Sequence, residues 1–181
     1  VEYYFNLKRT NDSLVKENTD LRNVLRTNFD NPDTTQRIVA DTIPYDTLGH
    51  VRKYMWRPAK VVSNTATLQN NYITIERGLN QGIRKDMGVI SSTGIVGTVV
   101  DVSANYAVVM SLLHRQSRVS AKMKKTGETG TIQWDGESPF YLTLINVPKS
   151  APVAVGDSVI TSQYSYLFPQ GIMVGTVAAI V

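Results

Sequence analysis

The sequence predicts a mainly β protein headed by one coiled-coil helix. Three observations carry that reading. Residues 1 to about 29 contain no Gly and no Pro, and they repeat leucine every seven positions. From Ala59 onward, short runs rich in Val, Ile, Thr and Tyr are punctuated by Gly-containing turns. No helical pattern separates those runs, which excludes a βαβ architecture and indicates antiparallel barrels or sandwiches.

The helix comes first. With Leu7, Leu14, Leu21 and Asn28 at the d positions of a heptad, Tyr4, Asn11, Asn18 and Leu25 fall at a. The flanks carry Lys8, Arg9, Asp12, Lys16, Glu17, Asp20, Arg22 and Arg26. An a/d-only stripe is narrower than the stripe a helix buries against its own domain, so a dimeric coil is preferred over a single docked amphipathic helix. Leu7, Leu14, Leu21 and Leu25 would form the seam, and Asn11 and Asn18 would fix its register, because a buried Asn at a pairs with its twin. The helix is expected to stop at Asn31-Pro32-Asp33, where proline cannot donate the helical hydrogen bond.

Residues 30–58 read as a linker, with Pro32, Pro44, Gly49 and Pro58 and one weak strand over Arg37–Ile43. Tyr45, Tyr54, Met55 and Trp56 mark it as a linker that packs on something.

The β region, 59–181, opens at Lys60–Ser63. In Asn71–Arg77, Tyr72, Thr74 and Glu76 alternate with Ile73 and Ile75, the period of a half-buried strand. Further strands are expected at Gly88–Ser91, Ile95–Val102, Ala107–Leu113, Arg118–Met123, Gly130–Trp134, Tyr141–Val147, Asp157–Thr161 and Met173–Val181. Turns fall at Arg77-Gly78, Gln81-Gly82, Thr93-Gly94, Thr126-Gly127, Asp135-Gly136 and Gly156-Asp157. This many strands suits either two small barrels or one larger sandwich.

Composition narrows the chemistry. The 181 residues contain no Cys, which excludes disulfides, Cys-ligated metal and thiol catalysis. A net charge of +4 with scattered basic residues does not make the stripe of a nucleic-acid binder, and none is expected as a partner. The densest basic cluster, Lys122, Lys124 and Lys125, reads as one face of a strand. No run of ~20 apolar residues that would cross a bilayer occurs. The chain does not open on Met, and the expectation is a piece of a longer protein.

Candidate catalytic groups are few. The histidines are His50 and His114, and Gly156-Asp157-Ser158-Val159 comes nearest to a nucleophile turn. Val159 stands where an oxyanion-hole glycine is wanted, so the run reads as a turn entering a strand. Asp30, Asn31 and Asp33 form the only local oxygen cluster, and Pro32 makes it a helix stop rather than a metal site. Gly94-Ile95-Val96-Gly97 lacks the Lys-Ser/Thr end of a phosphate loop, and Gly97 reads as a bulge or a close backbone approach. No catalytic residue, metal or cofactor is expected.

Several strings resemble one family in order and spacing. They are Glu17-Asn18-Thr19-Asp20-Leu21-Arg22 at the coil end, Ala59–Asn64, and Ile75–Ile83 with its Gly78 and Gly82. Gly94-Ile95-Val96-Gly97-Thr98-Val99, Ser117–Ala121 and Thr126–Gly130 follow. Val155–Ser162 and Phe168-Pro169-Gln170-Gly171-Ile172-Met173-Val174-Gly175 close the series. Together they resemble the bacterial rod shape-determining protein MreC family. Asp86-Met87-Gly88-Val89 departs from the commoner Gly-Met-Pro-Val, and Gln163 stands where glycine often follows Thr-Ser.

The resemblance implies two small antiparallel β-barrels in a chymotrypsin-like arrangement without an active site, approximately 59–113 plus 155–181, and 114–154. It implies a non-enzymatic scaffold on the periplasmic side of the inner membrane, anchored by an N-terminal spanning helix. It implies homodimers, possible higher assembly, and partners MreB, MreD, RodA and a class B penicillin-binding protein whose transpeptidase it regulates. Tyr164, Tyr166, Leu167 and Phe168 form an aromatic loop that would suit partner binding; equally, Phe168 would plug a barrel end. Two alternatives stay open: a periplasmic coiled-coil adaptor of an envelope transport complex, and a double-barrel serine hydrolase. An adaptor usually returns its coil as a hairpin, and only one coil segment is present.

Overall fold

The computed structural model describes residues 2–25, 29–30, 51–52 and 54–180, which fall in two compact units, 1–58 and 59–181. In the first unit, α1 (Glu2–Val24) carries the leucine heptad. Leu7, Leu14 and Leu21 are 50–56% exposed, and Asn11 is exposed as well. Asn18 turns its amide back to donate to the Leu14 carbonyl at 2.9 Å, one helical turn earlier.

The helix is shorter than the expected 1–29. It ends at Val24, and Leu25, half exposed, lies just beyond it. The next described residues, β1 (Phe29–Asp30), pair antiparallel with β2 (Val51–Arg52). Extended strand backbone at Phe29–Asp30 is incompatible with a helix running through 29. At the helix end, Asn23 accepts the Trp56 N–H at 2.8 Å and donates to the Trp56 carbonyl at 3.2 Å. The Arg22 guanidinium lies 5.5 Å from the Trp56 ring centre. Pairing holds Val51–Arg52, and this clamp holds Trp56. The expected strand at Arg37–Ile43, the Asn31-Pro32-Asp33 stop, Tyr45 and His50 lie outside the described residues.

The second unit holds two five-stranded antiparallel sheets. The first comprises β3 (Val61–Asn64), β4 (Asn70–Ile75), β5 (Gly88–Ile90), β6 (Ile95–Val102) and β7 (Ala107–His114), in the order β3-β4-β7-β6-β5. The second comprises β8 (Val119–Met123), β9 (Thr129–Gln133), β10 (Thr143–Ile145), β11 (Ser158–Thr161) and β12 (Met173–Thr176), in the order β10-β9-β8-β11-β12.

Period-two alternation sets the faces. In β4, Asn71, Ile73 and Ile75 are buried while Asn70 and Tyr72 are exposed. Ile73, Ile75, Ile83, Val99, Ala107 and Val109 make one core. Val119, Ala121, Met123, Ile132, Val159 and Phe168 make the other, joined by Ile95 and Leu112. The eight-residue strands β6 and β7 thus reach both cores, one end in each. Gly97 is needed where they meet: a Cβ there would collide with the Met110 carbonyl.

Strand grouping corrects the expected partition. The segment 155–181 was expected to join 59–113, but β11 pairs with β8 through Val159–Met123 and Thr161–Ala121, and β12 pairs with β11. The reason is facial: Ala121, Met123 and Val159 all bury in the second core, and that register places them on one side. The chain between β11 and β12 still touches the first sheet, since a Cβ on Gly88 would strike the Leu167 carbonyl and the Phe168 ring. Two strands are also shorter than expected. The run Tyr141–Val147 narrows to β10, which ends before Asn146 at φ 62°. The run Met173–Val181 narrows to β12. Of the three clustered lysines, only Lys122 lies in a strand.

Candidate functional site

A histidine that works as a base needs a nucleophile on one nitrogen and an orienting acid on the other. His114 has neither. It is buried at the end of β7, where its Nδ1 accepts the Gln116 N–H at 3.0 Å and its Nε2 sits 3.0 Å from the Tyr72 hydroxyl. With Nδ1 accepting, Nε2 holds the proton and donates to tyrosine. The Tyr72 ring meets the imidazole edge-on at 5.0 Å. Burial pushes the imidazole below its usual titration range. These contacts make His114 a packing group that ties β7 to β4. Ser158 is half-buried on β11, opposite Thr176. Among the described residues no group of three His, Cys, Asp or Glu could hold a metal ion. The Lys85 ammonium, 3.1 Å from Asp101, holds that exposed carboxyl below the usual range, chiefly by hydrogen bonding.

Two exposed apolar surfaces stand out among the described residues. On α1, Leu7, Leu14 and Leu21 stand two turns apart along one side, ~10 Å between successive leucines. Their exposure leaves apolar area that nothing in the described chain covers.

The second surface is the loop between β11 and β12. Tyr164 is 70% and Tyr166 86% exposed, whereas Leu167 is half-buried against the second core and Phe168 is 1% exposed. Phe168 is thus corrected from a partner-binding residue to a core plug, and Leu167 contributes in the main to packing. The loop is built to hold this split. The Thr161 hydroxyl donates to the Pro169 carbonyl at 2.5 Å and accepts the Ile172 N–H at 2.9 Å. The Ser162 hydroxyl accepts the Tyr164 N–H at 3.2 Å, and the Ser165 hydroxyl accepts the Phe168 N–H at 3.2 Å.

Sequence reasoning placed Tyr141 inside a strand and did not single out Phe140. They are 62% and 87% exposed. Pro139 ahead of them, so close after the Asp135-Gly136 turn, was the available signal for a longer loop.

A helix with an exposed leucine stripe, followed in the sequence by a module of two antiparallel sheets, is the architecture of this chain. The comparisons give its family. The family model described as rod shape-determining protein MreC, barrel core, matches residues 61–181. The cell shape-determining protein MreC of Listeria monocytogenes is 31% identical over 135 residues, covering 73% of this chain and 46% of that protein. Its Bacillus subtilis counterpart is 28% identical over 148 residues, covering 75% and 51%. The chain belongs to the MreC family, and it spans about half the length of these curated relatives.

Solved structures repeat the fold. An MreC structure from Listeria monocytogenes aligns with TM-score 0.61 and 29% identity, over 98% of this chain and 76% of that one. The crystal structure of MreC from Pseudomonas aeruginosa aligns with TM-score 0.62 and 25% identity, over 68% and 79%. No helix among the described residues is long and apolar enough to cross a membrane.

Proposed function

We propose that this chain is a non-catalytic extracytoplasmic scaffold of the cell-elongation machinery. It dimerises through α1 and presents its β module to a class B penicillin-binding protein, whose transpeptidase it regulates. The observation that carries this reading is the family match over 61–181 behind a helix with an exposed leucine heptad. The two five-stranded sheets are read as two small barrels in a chymotrypsin-like arrangement. Bulges in β3, β6, β7 and β12, which bend strands, support closure of each. The same reading places the chain on the periplasmic side of the inner membrane, anchored by a spanning helix, beside MreB, MreD and RodA.

Regulation without chemistry works by population shift. A scaffold that binds one conformer of the enzyme better moves the equilibrium by that difference, typically ~1–3 kcal/mol. Two copies joined by the coil raise apparent affinity with no new contact. Leu7, Leu14, Leu21 and Leu25 supply the seam, Asn11 and Asn18 the register, and Tyr164 and Tyr166 the partner contact.

The test is binding of this chain to the extracytoplasmic part of the organism's elongation-specific transpeptidase, by interferometry at several protein concentrations. Saturable binding is expected. No binding by folded, dimeric chain would remove the partner assignment and leave the family membership untouched.

A further inference from the structure

The aromatic loop after β11 is not alone on its end of the molecule. β8 pairs antiparallel with β9 on one side and with β11 on the other. β9 and β11 therefore run in the same direction. The chain leaving β9 at Gln133 and the chain leaving β11 at Thr161 emerge from the same end of the sheet, two strand spacings or ~10 Å apart. β8 begins at that end, so the turn 115–118 lies between the two loops.

Hydrogen bonds fix this neighbourhood. Arg115 donates to the Asp135 carbonyl at 3.2 and 3.3 Å, tying the turn to the loop after β9. The Ser162 N–H donates to the Ser120 carbonyl at 3.2 Å, and the two serine hydroxyls are 2.7 Å apart, tying β8 to the loop after β11.

Both loops share one construction. Each buries one aromatic and turns two outward. Trp134 is 4% exposed, and its indole N–H donates to the Ser138 carbonyl at 2.7 Å. Beyond it, Phe140 and Tyr141 point to solvent. Phe168 does the same service for Tyr164 and Tyr166. Aromatics held out by a stapled loop lose little freedom on binding, and with Arg they are the residues that anchor protein interfaces. The charges here balance: exposed Arg115 and Arg118 stand beside exposed Asp135 and Glu137. An anionic lipid surface or a nucleic acid would call for an excess of Lys and Arg. A folded protein with apolar recesses would not.

We propose that the two loops form one composite docking surface, in which Phe140 and Tyr141 grip the same protein partner as Tyr164 and Tyr166. The inference rests on the reading above that the partner is the extracytoplasmic part of the transpeptidase.

Binding of that domain would be compared for wild type, Phe140→Ala with Tyr141→Ala, Tyr164→Ala with Tyr166→Ala, and Val155→Ser. Val155 is exposed in the turn before β11, at the opposite end of the sheet. Each aromatic pair should weaken binding at least ten-fold, with thermal midpoints unchanged, and Val155→Ser should stay within two-fold. Radical footprinting of the wild-type complex should protect Phe140 and Tyr141, which tests the surface without any variant. If the Tyr164 and Tyr166 change weakens binding while Phe140 and Tyr141 are neutral and unprotected, the composite surface is refuted and the single-loop reading stands. If neither pair matters though wild type binds, both loops lose the role and the partner assignment survives. If wild type does not bind, the partner reading and this inference fall together.

Discussion

Phe168 and Tyr166 lie two positions apart in one aromatic run, yet Phe168 is 1% exposed and Tyr166 86%. Burying a phenylalanine removes its whole ring from water, and truncating it leaves a cavity as well. Phe168→Ala should cost about 3–5 kcal/mol, whereas Tyr166→Ala should stay within about 0.5 kcal/mol, both read from urea midpoints. His114 makes a second prediction. Its folded-state titration is pushed down by burial, while an unfolded histidine titrates near 6.5. Above that pH both states are neutral and the native packing is undiminished. As pH falls from there toward the folded value, the unfolded chain takes up a proton the native chain refuses, and stability is lost. Wild type should therefore lose more urea resistance than His114→Gln on going from about pH 7.5 to about pH 5. His50 remains in both chains, so the difference between them reports His114; equal losses would show that the imidazole titrates normally.

At the scale of elements, α1 carries the testable claim. Its exposed leucines repeat every seven residues, and a charge placed in a seam must be desolvated against its own twin. Leu14→Lys should convert a dimer to monomer, followed by molecular mass from light scattering; an unchanged mass would dispose of the heptad assignment. The neighbouring element was misjudged for a physical reason. Residues near Asn28 satisfied the heptad arithmetic, but periodicity counts only positions on one helix. The pairing of Phe29–Asp30 with Val51–Arg52 is a contact between segments more than twenty residues apart, which no local pattern announces. Strand ends suffered likewise: Tyr141 alternates correctly with its neighbours, yet β10 starts only at Thr143.

For the whole molecule, both hydrophobic cores draw on residues between Ile73 and Val177, inside the second unit. A chain trimmed to 59–181 should therefore fold alone, with a cooperative thermal transition whose midpoint does not shift with concentration. The full chain, if the coil dimerises it, should show a midpoint that rises with concentration. Circular dichroism melts at several concentrations would check both; a trimmed chain without a cooperative transition would mean that the cores need the first unit.

By itself the sequence determined the helix, the approximate place of all ten strands in the β region, and the family, because these rest on periodicity, turn residues and the order of short motifs. It also marked Gly97 as a bulge or a close backbone approach, and the structure shows the close approach, to the Met110 carbonyl. Only the tertiary structure decided which strands share a sheet. β8 and β11 come together across more than thirty intervening residues, and alternation tells which side chains bury but not against what. For the same reason the sequence could not divide its aromatics into plugs and surface. Trp134 and Phe168 are inside and Phe140, Tyr141, Tyr164 and Tyr166 outside, although all six side chains are equally able to be either. Phe168 is inside because it packs in the second core, and Trp134 is inside with its indole N–H bonded within its own loop; the parallel course of β9 and β11 brings the two loops to one end of one sheet.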